Sequence, residues 1–186
     1  MEMGMKVQYV YGKNICFRDV CEEDAAFILE LRGDDQLGKF LSKTEIDLDK
    51  QKLWIRNYKQ RTQEYYFIIA GKNGESYGTI RLYDVQGDSF CWGSWIIKKT
   101  APGSIAVESA FLIYEFAFGK LGFKRSHFDV RKGNIKVVDF HKRLGSRIIS
   151  EDDLNYYFNL SLADYALAKQ RYTKYIPEQV EVKEAV

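Results

Sequence analysis

Three apolar runs joined by two tight turns occupy the middle of the chain: "EYYFIIAG", "SYGTIRLYDV" and "SFCWGSWII". The first junction, "KNGE", has Asn73-Gly74 at its centre, and the second is Gly87-Asp88. Asn-Gly between apolar segments is a strong hairpin signal, so consecutive antiparallel strands are expected here. The next long segment, "SIAVESAFLIYEFAFGK", is apolar on most sides and reads as a buried helix. Antiparallel hairpins followed by a buried helix predict a mixed sheet with helices on both faces.

The flanking segments fit that frame. "NICFRDV" alternates as a strand over residues 14–20, followed by helices from Glu22 to about Arg32 and from Leu48 to Arg61. Downstream, "KRSHFDVR" reads as a strand, "NIKVVDFHKRL" as a helix, "SRIIS" and "LNYYFNLSL" as strands, and "ADYALAKQRYTKY" as a closing helix. The expected order is β-α-α-β-β-β-α-β-α-β-β-α. A length of 186 residues suits one domain, 1–176, with a polar tail, "PEQVEVKEAV" at 177–186, expected to fray.

Charge and cysteine usage narrow the function classes. A net charge of +2 gives no basic stripe for nucleic acid and no pull toward an anionic membrane. Cys16, Cys21 and Cys91 fit no zinc spacing and no C-x-x-C motif, and two histidines are too few for a histidine-rich metal site. No apolar run reaches the roughly 20 residues that span a bilayer, and the N-terminal residues lack an apolar signal core. The expectation is a cytoplasmic protein with no metal, no nucleic acid and no membrane partner.

Three places suit chemistry. In "SFCWGSWII", Gly93 interrupts a strand, which marks a bulge that frees backbone groups for a ligand, or else makes room for a tryptophan. In "KKTAPGSIAVES", Pro102 and Gly103 precede Ser104, a candidate N-cap with Glu108 in the following turn. The amides of Ile105 to Val107 then sit at the positive end of a helix and suit an anion, although many helices open this way without one. In "SHFDVR", His127, Asp129 and Arg131 share a strand face, and in the next helix Asn134, Val138 and His141 share a helix face. Taken singly, Asn134 reads equally as an N-cap and His141 as a core or rim histidine.

Together and in this order, these segments resemble the GNAT superfamily of acyl-coenzyme A-dependent N-acyltransferases, from about Ile15 to Tyr172. "CFRDVCEEDAAFILELR" resembles the family's opening strand and helix, "FIIAGKNGESYGTIRLYDV" its hairpin and "GSWII" its bulged strand. "APGSIAVES" occupies the place of the pyrophosphate loop R/Q-x-x-G-x-G/A, and "NIKVVDFHKRLGS" that of N-x-x-x-x-x-F-Y-x-x-x-G-F. The chain departs from the pattern by lacking the loop's Arg and second Gly, by His141 in place of Tyr, and by Gly145-Ser146 in place of Gly-Phe.

The resemblance implies a mixed, mostly antiparallel α/β (α+β) sheet with a splayed, bulged strand. It implies acetyl-coenzyme A as co-substrate, lying between the strand ending at Ile97 and the strand ending at Val130. Backbone groups of Trp95, Ile96 and Ile97 would pair with the pantetheine arm, and the amides of Gly103, Ser104, Ile105, Ala106 and Val107 would hold the pyrophosphate. Asn134, Phe140 and Arg143 would complete the coenzyme site. Asp129 is the expected general base, with Asp84 and Glu108 as alternatives and an Asp129–Arg131 surface pair as the competing reading. His141 is either the acid that protonates the leaving thiolate or a coenzyme contact. Tyr83, Asp84, Trp92 and Ser94 are the expected acceptor-side residues.

The expected acceptor is the primary amine of a small molecule, with an amino-sugar favoured. The aromatics Trp54, Tyr58, Tyr65, Tyr66, Tyr83, Trp92, Trp95, Tyr156 and Tyr157 suit a sugar or base platform, or simply fill cores. A protein N-terminal acetyltransferase and a non-catalytic acyl-coenzyme A sensor or scaffold are the alternatives, and a homodimer is left open.

Overall fold

A computed structural model describes residues 6–40 and 45–185. The opening residues 1–5 of the expected domain lie outside it, as do 41–44 and 186. The strands are β1 (Val7–Tyr11), β2 (Ile15–Asp19), β3 (Tyr65–Gly71), β4 (Ser76–Gln86), β5 (Ser89–Ile97), β6 (Arg125–Arg131), β7 (Arg147–Glu151), β8 (Asn155–Ser161) and β9 (Glu181–Glu184). The helices are α1 (Ala25–Gly33), α2 (Leu48–Tyr58), α3 (Ser104–Tyr114), α4 (Ile135–Arg143) and α5 (Leu162–Lys169). Among the described residues the strands form one sheet in the order β7-β8-β6-β5-β4-β3-β2-β1-β9. Each neighbouring pair is antiparallel except β5 and β6.

The meander forms where the turns predicted it, with β3, β4 and β5 adjacent. β3 is buried along its whole length, which is why it reads as an unbroken apolar run rather than an alternating one. The register divides the side chains between two layers. Arg81 and Tyr66 pair on the face covered by α1 and α2, where Val20, Ala25, Ile28, Ile55, Tyr58 and Ile68 form a small core. Phe67, Ile69, Leu82, Phe90 and Trp92 project to the other face, against α3. Phe111, Tyr114 and Phe116 on and beyond α3 are fully buried, so the segment needs no polar side. The helix continues into a wide π-turn over Glu115–Lys120.

The sequence reading differs from the structure at both ends. Val7–Tyr11 forms a strand that it did not anticipate. The tail expected to fray supplies β9, which pairs with β1 through Val10↔Val182 and Tyr11↔Glu181. A four-residue strand carries too little pattern to be read alone, and it is held by backbone pairing across the sheet edge.

Candidate active site

β5 and β6 run parallel but pair only at Ser89↔Arg125 and Phe90↔Ser126, and then separate. The cause lies in β5. Its register against β4 shifts between Thr79↔Ile96 and Arg81↔Gly93, leaving one extra residue on β5. Such a bulge bends its strand and leaves the extra residue out of the ladder. Ser94 takes a left-handed φ of 47°, and its carbonyl accepts a 2.7 Å hydrogen bond from the Thr79 hydroxyl. Glycine is required at one point here, and at a second an added Cβ would press on a side-chain tip. A Cβ on Gly78 would lie 2.1 Å from the Ile96 carbonyl oxygen, and one on Gly93 would lie 2.9 Å from the Tyr83 hydroxyl. Gly93 therefore makes room for a tyrosine, not for a tryptophan.

The splayed strands enclose a cleft of about 370 Å³. Of the expected site residues, its walls bring together Tyr83, Trp92, Ser94, Trp95, Asp129, Asn134 and His141. Ile96, Ile97, Gly103 to Val107, Phe140 and Arg143 do not line it. A smaller chamber of about 220 Å³ adjoins it, sharing Arg32 and Ser94 and bounded by Gln51, Trp54, Tyr66 and Arg81. Arg81 is held there by Glu64 at 2.6 Å and stacks on Trp54 and Tyr83.

Asp129 is exposed on the cleft wall. The pairing register puts it on the sheet face of Tyr83 and Tyr157, which is also the face of α1 and α2. Among the described residues it makes no ion pair with Arg131. Asn134 stands at the N-cap of α4, yet its side chain makes no capping hydrogen bond and lines the cleft.

Four expectations change. His141 is 4% exposed and packed among Phe128, Trp92, Phe140 and Phe158, with its ring centroid 4.2 Å from that of Phe128. Burial pushes its pKa down to about 3, so the ring is neutral at pH 7 and is not the partly charged acid that its position suggested. Glu108 is fully buried and accepts from the Asn14 amide at 2.5 Å, the Asn14 side chain at 3.0 Å and the Ile15 amide at 3.2 Å. It braces the β1–β2 turn and is no base. Glu108→Ala strands these donors, and urea unfolding should show a loss of about 2 to 3 kcal/mol. Asp84 turns away from the cleft, accepting from Gln86 and lying 3.1 Å from His127. At the start of α3, Gly103 rather than Ser104 holds the N-cap position, and the Ile105 amide donates to the Pro102 carbonyl at 3.0 Å. Ile105 therefore drops out of the anion cradle, while Gly103 and Ser104 remain exposed.

The aromatic platform is mostly core. Tyr58, Tyr65, Tyr66 and Trp92 are each at most 5% exposed. Trp95 donates from Nε1 to the Ser109 hydroxyl at 3.0 Å and packs on Phe140. Sequence reasoning missed Arg32, Phe40, Cys91 and Val137 on the cleft walls. No local signal marks them, since only the fold brings the end of α1 and the segment after it to β5.

Residues 14–147 match the family model described as an acetyltransferase (GNAT) domain. The chain belongs to the GNAT acetyltransferase family. A solved structure titled apo FdhC, a nucleotide-linked sugar GNAT, is 43% identical to this GNAT, covering 95% of this chain and 100% of the other with a TM-score of 0.79. Two others, 15% identical, share the fold. A GCN5-related N-acetyltransferase from Brucella melitensis covers 94% of this chain and 88% of its own, with a TM-score of 0.76. A spermidine N-acetyltransferase from Vibrio cholerae, solved with CoA and spermine, covers 82% of this chain and 98% of its own, with a TM-score of 0.70. No curated protein sequence matches the chain. Among the described residues of this GNAT acetyltransferase, no helix is long and apolar enough to cross a membrane.

Proposed function

We propose that this GNAT acetyltransferase moves the acetyl group of acetyl-coenzyme A to the amine of a nucleotide-linked amino-sugar. The carrying observation is the cleft. A bulged strand with a freed backbone faces Asp129, and the exposed start of α3 stands beyond the end of β5. The choice of acceptor is supported by the 43% identity with a nucleotide-linked sugar GNAT.

The residues divide the work by position. Backbone groups of Trp95 to Ile97 meet the pantetheine arm, and Asn134 meets it from the opposite wall. Gly103, Ser104 and Ala106 offer amides to the pyrophosphate at the positive helix end, the Val107 amide being taken up in the first helical turn once Gly103 is the N-cap. Phe140 holds the Trp95 side chain against the sheet, and Arg143, at the end of α4, reaches the outer part of the coenzyme. An amide of the bulge near Trp95 polarises the thioester carbonyl.

The amine enters on the face of α1 and α2, bounded by Tyr83 and Ser94, while Trp92 lies on the α3 face. Asp129 takes its proton as the nitrogen–carbon bond forms, and the carbon–sulfur bond then breaks with release of the thiolate. His141, neutral and buried, shapes the wall without supplying a proton from an imidazolium.

A non-catalytic scaffold is the second reading. It is favoured by the missing loop arginine and by the Ile105 amide already bonded to Pro102. Coenzyme A release from acetyl-coenzyme A, measured against nucleotide amino-sugars, polyamines and N-terminal peptides, separates the two. Turnover with an amino-sugar nucleotide is expected. Tight binding of acetyl-coenzyme A without release of thiol to any amine would favour the scaffold.

A further inference from the structure

α2 buries Gln51, Ile55 and Tyr58, spaced four and three apart along one stripe. Ile55 and Tyr58 belong to the small core beneath the helix. The stripe calls for an apolar residue one turn earlier, yet Gln51 stands there, 8% exposed. Its backbone amide donates to the Asp47 carbonyl at 3.0 Å. Its side-chain amide makes no hydrogen bond among the described residues and borders the chamber of about 220 Å³. Taking an amide out of water without a partner is unfavourable, and buried polar groups are nearly always paired. A buried, unpaired amide facing a cavity therefore points to a group that arrives with the substrate.

The chamber meets the cleft at Arg32 and Ser94, which border both. Ser94 lies in the bulge of β5, one position before Trp95, whose amide is assigned to the thioester carbonyl. The volume corresponds to roughly seven water molecules. That is far more than an acetyl methyl needs and is on the scale of a sugar ring. Arg81 and Tyr66 place the chamber on the face of α1 and α2, which is also the face of Asp129.

The chemistry of Gln51 selects the guest. Its oxygen accepts and its nitrogen donates, and a hydroxyl answers both. A carboxylate or phosphate oxygen only accepts, so it would leave the amide oxygen without a donor. An ammonium only donates, and it would sit beside the Arg81 guanidinium with no carboxylate among the residues that line the chamber. Arg81 itself offers an anion little. Its charge is met by Glu64 at 2.6 Å, and its guanidinium stacks 5.1 Å from the Trp54 ring and 4.8 Å from that of Tyr83.

We propose that Gln51 is a specificity-determining residue for the acceptor, hydrogen-bonding a hydroxyl on the carbon next to the amino carbon while the sugar ring occupies the chamber. The proposal rests on the acyl-transfer reading and adds the neighbouring hydroxyl that a good acceptor must carry. A ring seated beyond Ser94 presents its amine to the thioester from the side of Asp129. A polyamine lacks the hydroxyl and carries a second cation, so the chamber rejects it.

The test compares kcat and KM for two acceptors with acetyl-coenzyme A. One is the nucleoside-diphosphate amino-hexose with the highest wild-type kcat/KM, and the other is its deoxy analogue lacking a hydroxyl beside the amino carbon. The wild type should prefer the parent by at least about 10-fold in kcat/KM. Gln51→Leu should lose at least about 10-fold on the parent and change little on the analogue, so the preference collapses. Its Kd for acetyl-coenzyme A, measured by calorimetry, should match that of the wild type and reports the fold. Gln51→Met, of similar length to glutamine, should behave in the same way and covers the case in which leucine disturbs α2. A wild type that treats the two acceptors alike would overturn the proposal. So would equal losses on both acceptors in the variants, which would mark Gln51 as structural or served by water alone. A wild type that binds acetyl-coenzyme A but acetylates no amino-hexose would sink the acceptor reading itself, and the role of Gln51 with it.

Discussion

Asp129→Asn is expected to lower kcat by about 10²- to 10⁴-fold while leaving the Kd for acetyl-coenzyme A unchanged. The substitution preserves shape and removes only the ability to accept a proton. Asp129 is exposed on the cleft wall and forms no ion pair with Arg131 among the described residues, so its loss should not cost fold stability. It also sits on the face of α1 and α2, away from the wall formed by α4, which is why coenzyme affinity should survive. Steady-state kinetics beside calorimetry of coenzyme binding give the answer. Turnover within a few-fold of the wild type would remove Asp129 from the mechanism and leave the amine to lose its proton to water.

His141→Phe should make the protein markedly more resistant to acid. In the folded protein the ring gains a proton only near pH 3, whereas in the unfolded chain it does so near 6.5. Between those values the unfolded chain binds more protons, so stability falls as the pH falls. The full interval corresponds to about 4 to 5 kcal/mol, with about half lost by pH 4.8. Phenylalanine carries no proton and suits the surrounding ring cluster. It also removes Nδ1, which has no hydrogen-bond partner among the described residues. Urea midpoints at pH 7 and pH 4.5 should separate for the wild type much more than for the variant. Equal separation in both proteins would mean that the ring is protonated, or reached by water, in the folded state.

Much of the frame is legible in the chain because its signals are local. Asn73-Gly74 and Gly87-Asp88 announce two turns, and the apolar run from Ile105 announces a helix without a wet side. Gly93 announces an irregular strand. Other features depend on distant partners. Glu108 looks like a polar residue in a first turn until the β1–β2 turn arrives to use its oxygens. His141 looks like a titrating residue until four rings close over it. Asp84 looks like an acceptor-side residue until a bulge in its own strand turns it toward His127. Side-chain chemistry is written in the sequence, but solvation is decided by residues tens of positions away.

The last strand carries a practical consequence. Because β9 lies against β1 and the Ala185 amide bonds to the Lys6 carbonyl, Lys6 and Ala185 are neighbours at one margin of the sheet. Four strands separate that margin from β5, a distance of about 25 Å at the usual strand spacing. A tether or fusion joined beside Lys6 or Ala185 therefore leaves the mouth of the cleft clear.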